Sequence, residues 1–140
     1  MAGGQGVDGM TAPCVRITKT FAFSAAHHLP NVPEDHQCRR PHGHNYTVTL
    51  ECEGTPDPGH GMLVDYGLIS DTFGRWLDEQ IDHRDLNELA VLDLDNTTAE
   101  MLAVRFYEII KQAGWYWAHT LRTVTVSEMP TTSATYPATT

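Results

Sequence analysis

The fold is decided by two segments, VRITKTFAFSAAH at residues 15–27 and HGHNYTVTLEC at residues 42–52. Successive side chains of a β-strand point to opposite faces, so a strand with one buried face alternates apolar and polar residues. With Lys19 as the one exception, the first segment follows this pattern, and its apolar residues have odd numbers: Val15, Ile17, Phe21, Phe23 and Ala25. The apolar residues of the second segment also share one face: Tyr46, Val48, Leu50 and Cys52. We therefore predict two strands, each with one buried face.

Two helices are predicted in the second half of the chain. In the first, Asp65 suits an N-cap, and apolar residues recur at helical spacing from Leu68 to Ile81. The second opens with TTAE at residues 97–100, where Thr97 and Glu100 have the spacing of a capping box. Its apolar stripe ends before Gly114, which suits a C-cap.

Shorter strands are predicted at residues 62–64, 121–128 and 133–136. The order is strands, two helices and strands again, without an internal repeat, which is typical of an α+β domain. Residues 1–13 are rich in glycine and lack a hydrophobic period, so we expect a mobile leader before a single domain at residues 14–140.

Composition narrows the class of protein. The start of the chain lacks the basic and then apolar order of a signal peptide, and no apolar run approaches the roughly 20 residues of a membrane helix. Three cysteines without framework spacing argue against a disulfide scaffold. The net charge of −9 comes without a basic patch, which argues against nucleic-acid binding. We expect a cytoplasmic protein without nucleic-acid or membrane partners.

The histidines indicate a metal site. His42 and His44 project from the same face of an extended backbone, so both can reach one ion. The third ligand is His27 or His28, and parity favours His27, which continues the buried face of its strand; a bulge just before it would reverse the choice. Three histidines without a thiolate are typical of catalytic zinc sites, which keep a fourth position open.

Four motifs in order resemble the 6-pyruvoyl tetrahydropterin synthase superfamily over residues 15–136. They are FSAAH at 23–27, CRRPHGHNY at 38–46, DHRDLN at 82–87 and EMPT at 128–131. Two positions depart from the family pattern, because His28 stands where arginine is common and TTAE at 97–100 where PTSE is common. These departures concern substrate contacts rather than the chemistry.

The position of Cys38 identifies the branch that the chain resembles. Cys38 stands four residues before His42, as in the 6-carboxytetrahydropterin synthases, whereas the pyruvoyl synthases have a longer spacer. A third branch carries a glutamate in place of the cysteine. The nearest alternative is therefore a 6-pyruvoyl tetrahydropterin synthase, and an alternative of another class is a zinc-binding structural or regulatory module without catalysis.

The resemblance implies the T-fold (tunnelling fold), an antiparallel sheet with two helices on one face. Such chains assemble into an oligomeric barrel with active sites at subunit interfaces, and the family expectation is a homohexamer of two trimers. The implied enzyme uses Zn2+ to convert 7,8-dihydroneopterin triphosphate to 6-carboxytetrahydropterin, acetaldehyde and triphosphate. This reaction belongs to queuosine and 7-deazapurine biosynthesis.

The resemblance also implies a role for each motif residue. His27, His42 and His44 would hold zinc, while Cys38 would accept a proton from the substrate. Asp82 and His83 would form a proton relay, and Glu128 would anchor the edge of the pterin. Thr98 and Glu100 would make weaker contacts with the pterin.

Several of these residues also have structural explanations. A histidine at a helix C-terminus interacts favourably with the helix dipole, which would account for His83. Glu100 is explained equally well by the capping box. Lys19, Arg39 and Arg40 are candidate triphosphate contacts, and solvated surface is the simpler explanation for each of the three.

Overall fold

The computed structural model describes residues 12–138, so residues 1–11 of the expected leader lie outside the described residues. β1 (Val15–His27) and β2 (His42–Gly54) form an antiparallel pair whose register runs without interruption from Val15 opposite Gly54 to His27 opposite His42. Because β1 contains no bulge, its alternation holds to its last residue. The predicted buried face is confirmed towards the end of β1 and throughout β2, where the buried residues are Phe23, Ala25, His27, Tyr46, Val48, Leu50 and Cys52.

Five strands form one sheet in the order β3-β1-β2-β4-β5, with β3 at Arg84–Asp85, β4 at Leu121–Ser127 and β5 at Ala134–Tyr136. β3 runs parallel to β1, so the sheet is mixed rather than wholly antiparallel as expected. The parallel pairing arises because the chain returns to this edge after the helical crossover that parallel strands require.

The strand expected at residues 62–64 does not form. The backbone there closes a turn instead, since the Asp57 amide donates to the Met62 carbonyl at 2.9 Å and the Gly61 amide to the Asp57 carbonyl at 2.7 Å. Gly61 has φ +81°, a conformation that glycine adopts without steric cost. Local turn bonds thus use the backbone groups that a strand would have offered to a neighbour.

The first helical segment consists of α1 (Tyr66–Ile69), a π-helical turn (Ser70–Gly74) and α2 (Arg75–Gln80). Asp65 is its N-cap as predicted and accepts from the Gly67 amide at 2.8 Å. The segment approaches β1 closely at Gly74, where a Cβ atom would lie 2.7 Å from Cε1 of Phe21. A larger residue at this position would require the ring of Phe21 to move.

α3 (Ala99–Gln112) begins one residue later than predicted. Its N-cap is Thr98, whose hydroxyl accepts from the Met101 amide at 3.2 Å, so the capping box of Thr97 and Glu100 is wrong. Thr97 is fully buried and contacts His27 instead. The helix ends at its C-cap Ala113, and the following Gly114 has φ +83°.

Both helical segments cover the same face of the sheet, which confirms the expected α+β class. Phe23 stacks on Tyr46 with ring centroids 4.8 Å apart, and Phe106 of α3 packs edge-on against Phe23 at 6.1 Å. Phe73 joins the two helical segments, since its ring lies 5.9 Å from that of Phe106. Within residues 12–138, the helices are too short or too polar to cross a membrane.

Candidate active site

Three histidines meet on the buried side of the sheet, at the end where β1 stops and β2 starts. His27 is the partner of His42 in the strand register, and His44 lies opposite Ala25. One nitrogen from each ring lies within 4.8 Å of the nitrogens offered by the other two. The structure thus brings His27, His42 and His44 together. His28 follows the last residue of β1 and is not part of this group, as the alternation predicts.

Hydrogen bonds define which nitrogen of these rings is free. His27 donates from Nδ1 to the Thr97 carbonyl at 2.8 Å, and His42 donates from Nδ1 to the Arg40 carbonyl at 2.7 Å. A carbonyl can only accept, so both rings carry their proton on Nδ1 and keep a lone pair on Nε2. Such carbonyl partners are typical of histidines that bind metals.

The free nitrogens fit a cation. The Nε2 atoms of His27 and His44 are buried without a hydrogen-bond partner among residues 12–138. His44 Nε2 lies 3.3 Å from Glu128 Oε2 without the geometry of a hydrogen bond. Buried polar atoms without partners are rare in proteins, and a metal ion would satisfy them. Burial also lowers the pKa of His27, which favours the neutral ring that a metal requires.

Cys38 lies in a 3₁₀ turn (Gln37–Arg39) at the wall of a cavity of about 310 Å³. The cavity also contacts two of the histidines, and its lining is Gln37, Cys38, His42, His44, Glu128 and Met129. The backbone of Cys38 is held on both sides, because its amide donates to His36 Nδ1 at 3.0 Å and its carbonyl accepts from the Leu29 amide at 2.8 Å.

The three basic residues that were candidate triphosphate contacts do not line this cavity. Arg39 donates instead to the Val32 carbonyl at 2.8 Å, and Arg40 is exposed. Lys19 lies over the ring of Phe21, 5.6 Å from its centroid.

Glu128 stands between two cavities. Besides the one at Cys38, its carboxylate borders a smaller space of about 230 Å³ beside the start of α3, whose lining includes Glu100. Thr98 does not line either space, and its hydroxyl is used as the N-cap. Below the histidines, the buried hydroxyl of Tyr46 has no partner among the described residues. Burial, and then the charge of Glu128, raise the pKa of Tyr46, so the phenol keeps its proton.

Asp82 and His83 form a dyad on β1's outer edge. His83 Nδ1 lies 2.8 Å from Asp82 Oδ2, and the Ser24 amide donates to Asp82 Oδ1 at 2.8 Å. The Ser24 bond, followed by the one from His83, holds the pKa of Asp82 below its usual range. His83 has φ +62°, a conformation that non-glycine residues seldom adopt and that recurs at functional sites.

The dyad faces a different cavity from Cys38. The ring of His83 is 80% exposed and borders a space of about 510 Å³. Ser24, Ala26 and Asn45 also line that space, together with Ala25 and the histidine His44. His44 therefore borders both cavities, but neither Asp82 nor His83 lines the Cys38 cavity within one chain.

Sequence reasoning missed the supporting residues of the site. Thr97 was expected as a helix cap but contacts His27, and Asn87 was noted only as part of a motif. Gln37 and Met129 line the Cys38 cavity without any signal in their spacing. For Thr97 a signal existed, because two consecutive threonines compete for one N-cap position and only one of them can take it.

Comparisons with known proteins agree with this geometry. The family model described as 6-pyruvoyl tetrahydropterin synthase matches residues 16–139. A Synechocystis protein named 6-carboxy-5,6,7,8-tetrahydropterin synthase is 31% identical over 124 residues, covering 86% of this chain and 91% of that one. A Rickettsia felis protein of the same name is 30% identical over 69 residues, and that match spans about half of its length, 49%.

A solved structure carries the comparison to the whole fold. The structure of 6-pyruvoyl tetrahydropterin synthase from Caenorhabditis elegans superimposes with a TM-score of 0.80 at 28% identity. It covers 89% of this chain and 96% of its own, and confirms the expected T-fold. The family model and this fold extend over nearly all of the described residues, so the chain belongs to the 6-pyruvoyl tetrahydropterin synthase family.

Proposed function

We propose that this protein is a zinc-dependent 6-carboxy-5,6,7,8-tetrahydropterin synthase that acts on 7,8-dihydroneopterin triphosphate. The observation that carries the proposal is the cavity in which Cys38 and Glu128 adjoin two of three histidines with free Nε2 atoms. The names of the Synechocystis and Rickettsia felis relatives support the carboxy product. So does the three-residue spacer between Cys38 and His42.

The metal would be held by Nε2 of His27, His42 and His44. When bound, zinc supplies a Lewis acid that stabilises negative charge on oxygens of the substrate side chain. Three protein ligands leave one coordination position for the substrate. The carbonyl partners of His27 and His42 keep their rings oriented before the substrate arrives.

Glu128 would bind the pterin. Its carboxylate offers two acceptor oxygens, which suit the paired N–H groups on the amino-pyrimidinone edge of the substrate. Its place between the two cavities lets one side accept the ring system while the substrate side chain extends towards Cys38. Glu100 lines the ring-side space and is a candidate for a weaker contact.

Cys38 would accept the proton that leaves the substrate side chain, and His83 would exchange protons with the same chain. Asp82 would orient the ring of His83 across the 2.8 Å contact between its Oδ2 and Nδ1 of the histidine. A thiolate base and a histidine relay allow protons to move between neighbouring carbons. Triphosphate can then leave, and the pterin ring is reduced to the tetrahydro level as the side chain is oxidised. One water adds as the carbon–carbon bond of the side chain breaks, which gives a 6-carboxyl group and acetaldehyde.

We further propose that the dyad acts in the site of a neighbouring copy. Within one chain His83 and Cys38 line different cavities, and a second subunit would bring the two groups together. β1 favours such assembly, because β3 pairs with it only at Ala25 and Ala26. Residues 15–23 therefore present a strand edge without a partner in the described chain, which another copy can extend. A homohexamer of two trimers satisfies this requirement.

The product would enter queuosine or other 7-deazapurine biosynthesis. We expect the reaction in the cytoplasm, where a catalytic thiol stays reduced. Cys38 is one of three free cysteines in the described chain, and it is only partly buried.

A second candidate is a 6-pyruvoyl tetrahydropterin synthase, favoured by the likeness to the Caenorhabditis elegans structure of that name. It would use the same metal and bases and would leave the side-chain carbons intact. A zinc-binding module without catalysis is a weaker explanation. It does not account for a thiol and a carboxylate in the same cavity as the metal ligands.

The proposal is tested by removing zinc with a chelator and following consumption of 7,8-dihydroneopterin triphosphate before and after zinc is restored. We expect turnover to stop and to return with the metal. His27→Ala should lose both zinc and turnover, whereas His28→Ala is the matched control for metal binding and should keep its zinc. Full activity of the metal-free protein, or zinc retained by His27→Ala and lost by His28→Ala, would refute the proposed site.

A further inference from the structure

The backbone of His28, directly after His27, forms two hydrogen bonds with the side chain of Asn87. The His28 amide donates to Oδ1 of Asn87 at 2.9 Å, and Nδ2 of Asn87 donates to the His28 carbonyl at 2.9 Å. This pair of bonds imitates a strand neighbour and prolongs the short parallel pairing between β1 and β3. Asn87 is itself fixed, because its backbone N–H donates to Oδ1 of Asp85 at 3.0 Å.

The same amide oxygen orients Thr97. The Thr97 hydroxyl lies 3.2 Å from Oδ1 of Asn87 and 3.5 Å from the His28 carbonyl. Both oxygens can only accept, so the hydroxyl donates to them, with Oδ1 of Asn87 as the nearer acceptor. The hydroxyl oxygen is then left as an acceptor facing His27 Nδ1 at 3.2 Å, beside the Thr97 carbonyl at 2.8 Å. Thr97 is fully buried, so water does not compete for these groups. Two acceptors from one residue therefore face the single Nδ1 proton of His27.

We propose that Asn87 and Thr97 are positioning residues for the metal ligand His27. Asn87 fixes the backbone next to the ligand and the direction of the Thr97 hydroxyl, and Thr97 fixes the ring of His27 with its proton on Nδ1. Asn87 follows Asp82 and His83 in the same short segment, so the pair also ties the relay to the metal ligand. The inference rests on the proposed metal site and adds to it the groups that prepare the ligand.

The first test measures the zinc affinity of Asn87→Ala by competition with a chelating dye. Loss of a partner behind a metal-binding histidine typically costs about 10–100-fold in affinity, and we expect a decrease of that size. Asn96→Ala is the matched control, because that amide is exposed and is bonded through Oδ1 to Asn31 at 2.9 Å. Its zinc affinity should equal that of the wild type.

Thr97 offers a conservative pair of variants. Thr97→Ser keeps the hydroxyl and should keep the wild-type affinity, whereas Thr97→Val keeps the shape and the carbonyl but loses the hydroxyl and should bind zinc more weakly. A role in packing alone would favour the valine, which fills the buried space better than serine. The order of the two affinities therefore separates positioning from packing.

An NMR measurement on the metal-free wild type completes the test without any variant. We expect the 15N spectrum of His27 to show a protonated Nδ1 and an unprotonated Nε2. If the wild type binds no zinc, the proposed function is wrong. The tautomer of His27 can still be measured in that case, so the two failures can be told apart. Normal zinc affinity in Asn87→Ala, valine binding as tightly as threonine, or an Nε2–H tautomer would overturn the inference. If Asn87→Ala fails to fold, the Thr97 pair and the tautomer decide.

Discussion

At the scale of single residues, the proposed role of the Cys38 thiol is chemistry rather than metal binding. Cys38 lines the same cavity as His42 and His44. In the described chain, however, the group of side chains close enough to hold one metal ion consists of His27, His42 and His44 and does not include Cys38. Two backbone hydrogen bonds fix its turn while the side chain stays partly exposed. A nucleophilic or basic cysteine needs this kind of access.

We expect Cys38→Ala to keep zinc and the fold but to lose about 10²–10⁴-fold in turnover, the usual contribution of a positioned base. Zinc content, circular dichroism and the rate of substrate consumption measure the three effects. Cys14→Ala removes an exposed thiol before β1 and should leave all three unchanged. Near-normal turnover in Cys38→Ala would assign the proton acceptor to another group.

Asp82 gives the fold a dependence on pH. Its pKa is lowered in the folded protein by the Ser24 amide and by His83, so the carboxylate stabilises the fold above its unfolded value of about 3.9. This contribution is lost as pH falls from about 4 through the lower folded-state pKa. The difference in free energy of unfolding between wild type and Asp82→Asn should be present at pH 7 and vanish at the acid end. A constant difference in urea titrations across this range would contradict the assignment.

Residue parity predicted His27 as the third histidine because β1 contains no bulge to shift the alternation. The role of Thr97 could not be predicted in the same way. Thr97 and Thr98 are both suitable N-caps, and only the burial of the first against His27 decides between them. That burial depends on where α3 docks on the sheet, which is a tertiary rather than a local property.

At the scale of elements, the position of the α3 N-cap has a measurable consequence. Thr98→Ala removes the hydroxyl that accepts from the Met101 amide and should cost about 1 kcal/mol of stability. Glu100 is exposed and does not form the expected capping box, so Glu100→Ala should change stability by less than about 0.5 kcal/mol. Urea denaturation of both variants measures the difference. An equal loss of unfolding free energy in both variants would contradict this assignment and support a capping box that involves Glu100.

The long elements were predictable and the short ones were not. β1, β2, α3 and β4 each carry enough alternating or helical period to define a buried face. β3 has only two residues, too few for any period, and its parallel pairing depends on Asp82 and His83 binding the backbone of Ser24. The prediction of a strand at 62–64 was wrong because three consecutive apolar residues do not by themselves distinguish a strand from a turn that packs on the core.

At the scale of the whole molecule, the candidate site residues line two cavities of one chain. Cys38, His42 and Glu128 line one cavity and His83 lines the other, while His44 borders both. Sequence motifs supplied all of these residues but not their separation, because a motif carries no information on which chain completes a site. Assembly of several copies through the free edge of β1 would reunite them.

Mixed oligomers test this division. Cys38→Ala and His83→Ala should each be inactive, and co-expression of the two should restore about a quarter of the wild-type activity, since random mixing joins the two intact groups at about one site in four. Native mass spectrometry should show the mixed hexamers. No recovery in verified mixed hexamers would mean that the dyad serves the site of its own chain.

The most direct measurement is the product itself. The zinc-loaded protein is incubated with 7,8-dihydroneopterin triphosphate, acetaldehyde is followed with a coupled alcohol dehydrogenase, and the pterin is identified by its mass. We expect one acetaldehyde for each substrate consumed, together with 6-carboxytetrahydropterin. Consumption of substrate without acetaldehyde, with a pterin that keeps all its side-chain carbons, would contradict the carboxy assignment and identify a pyruvoyl synthase.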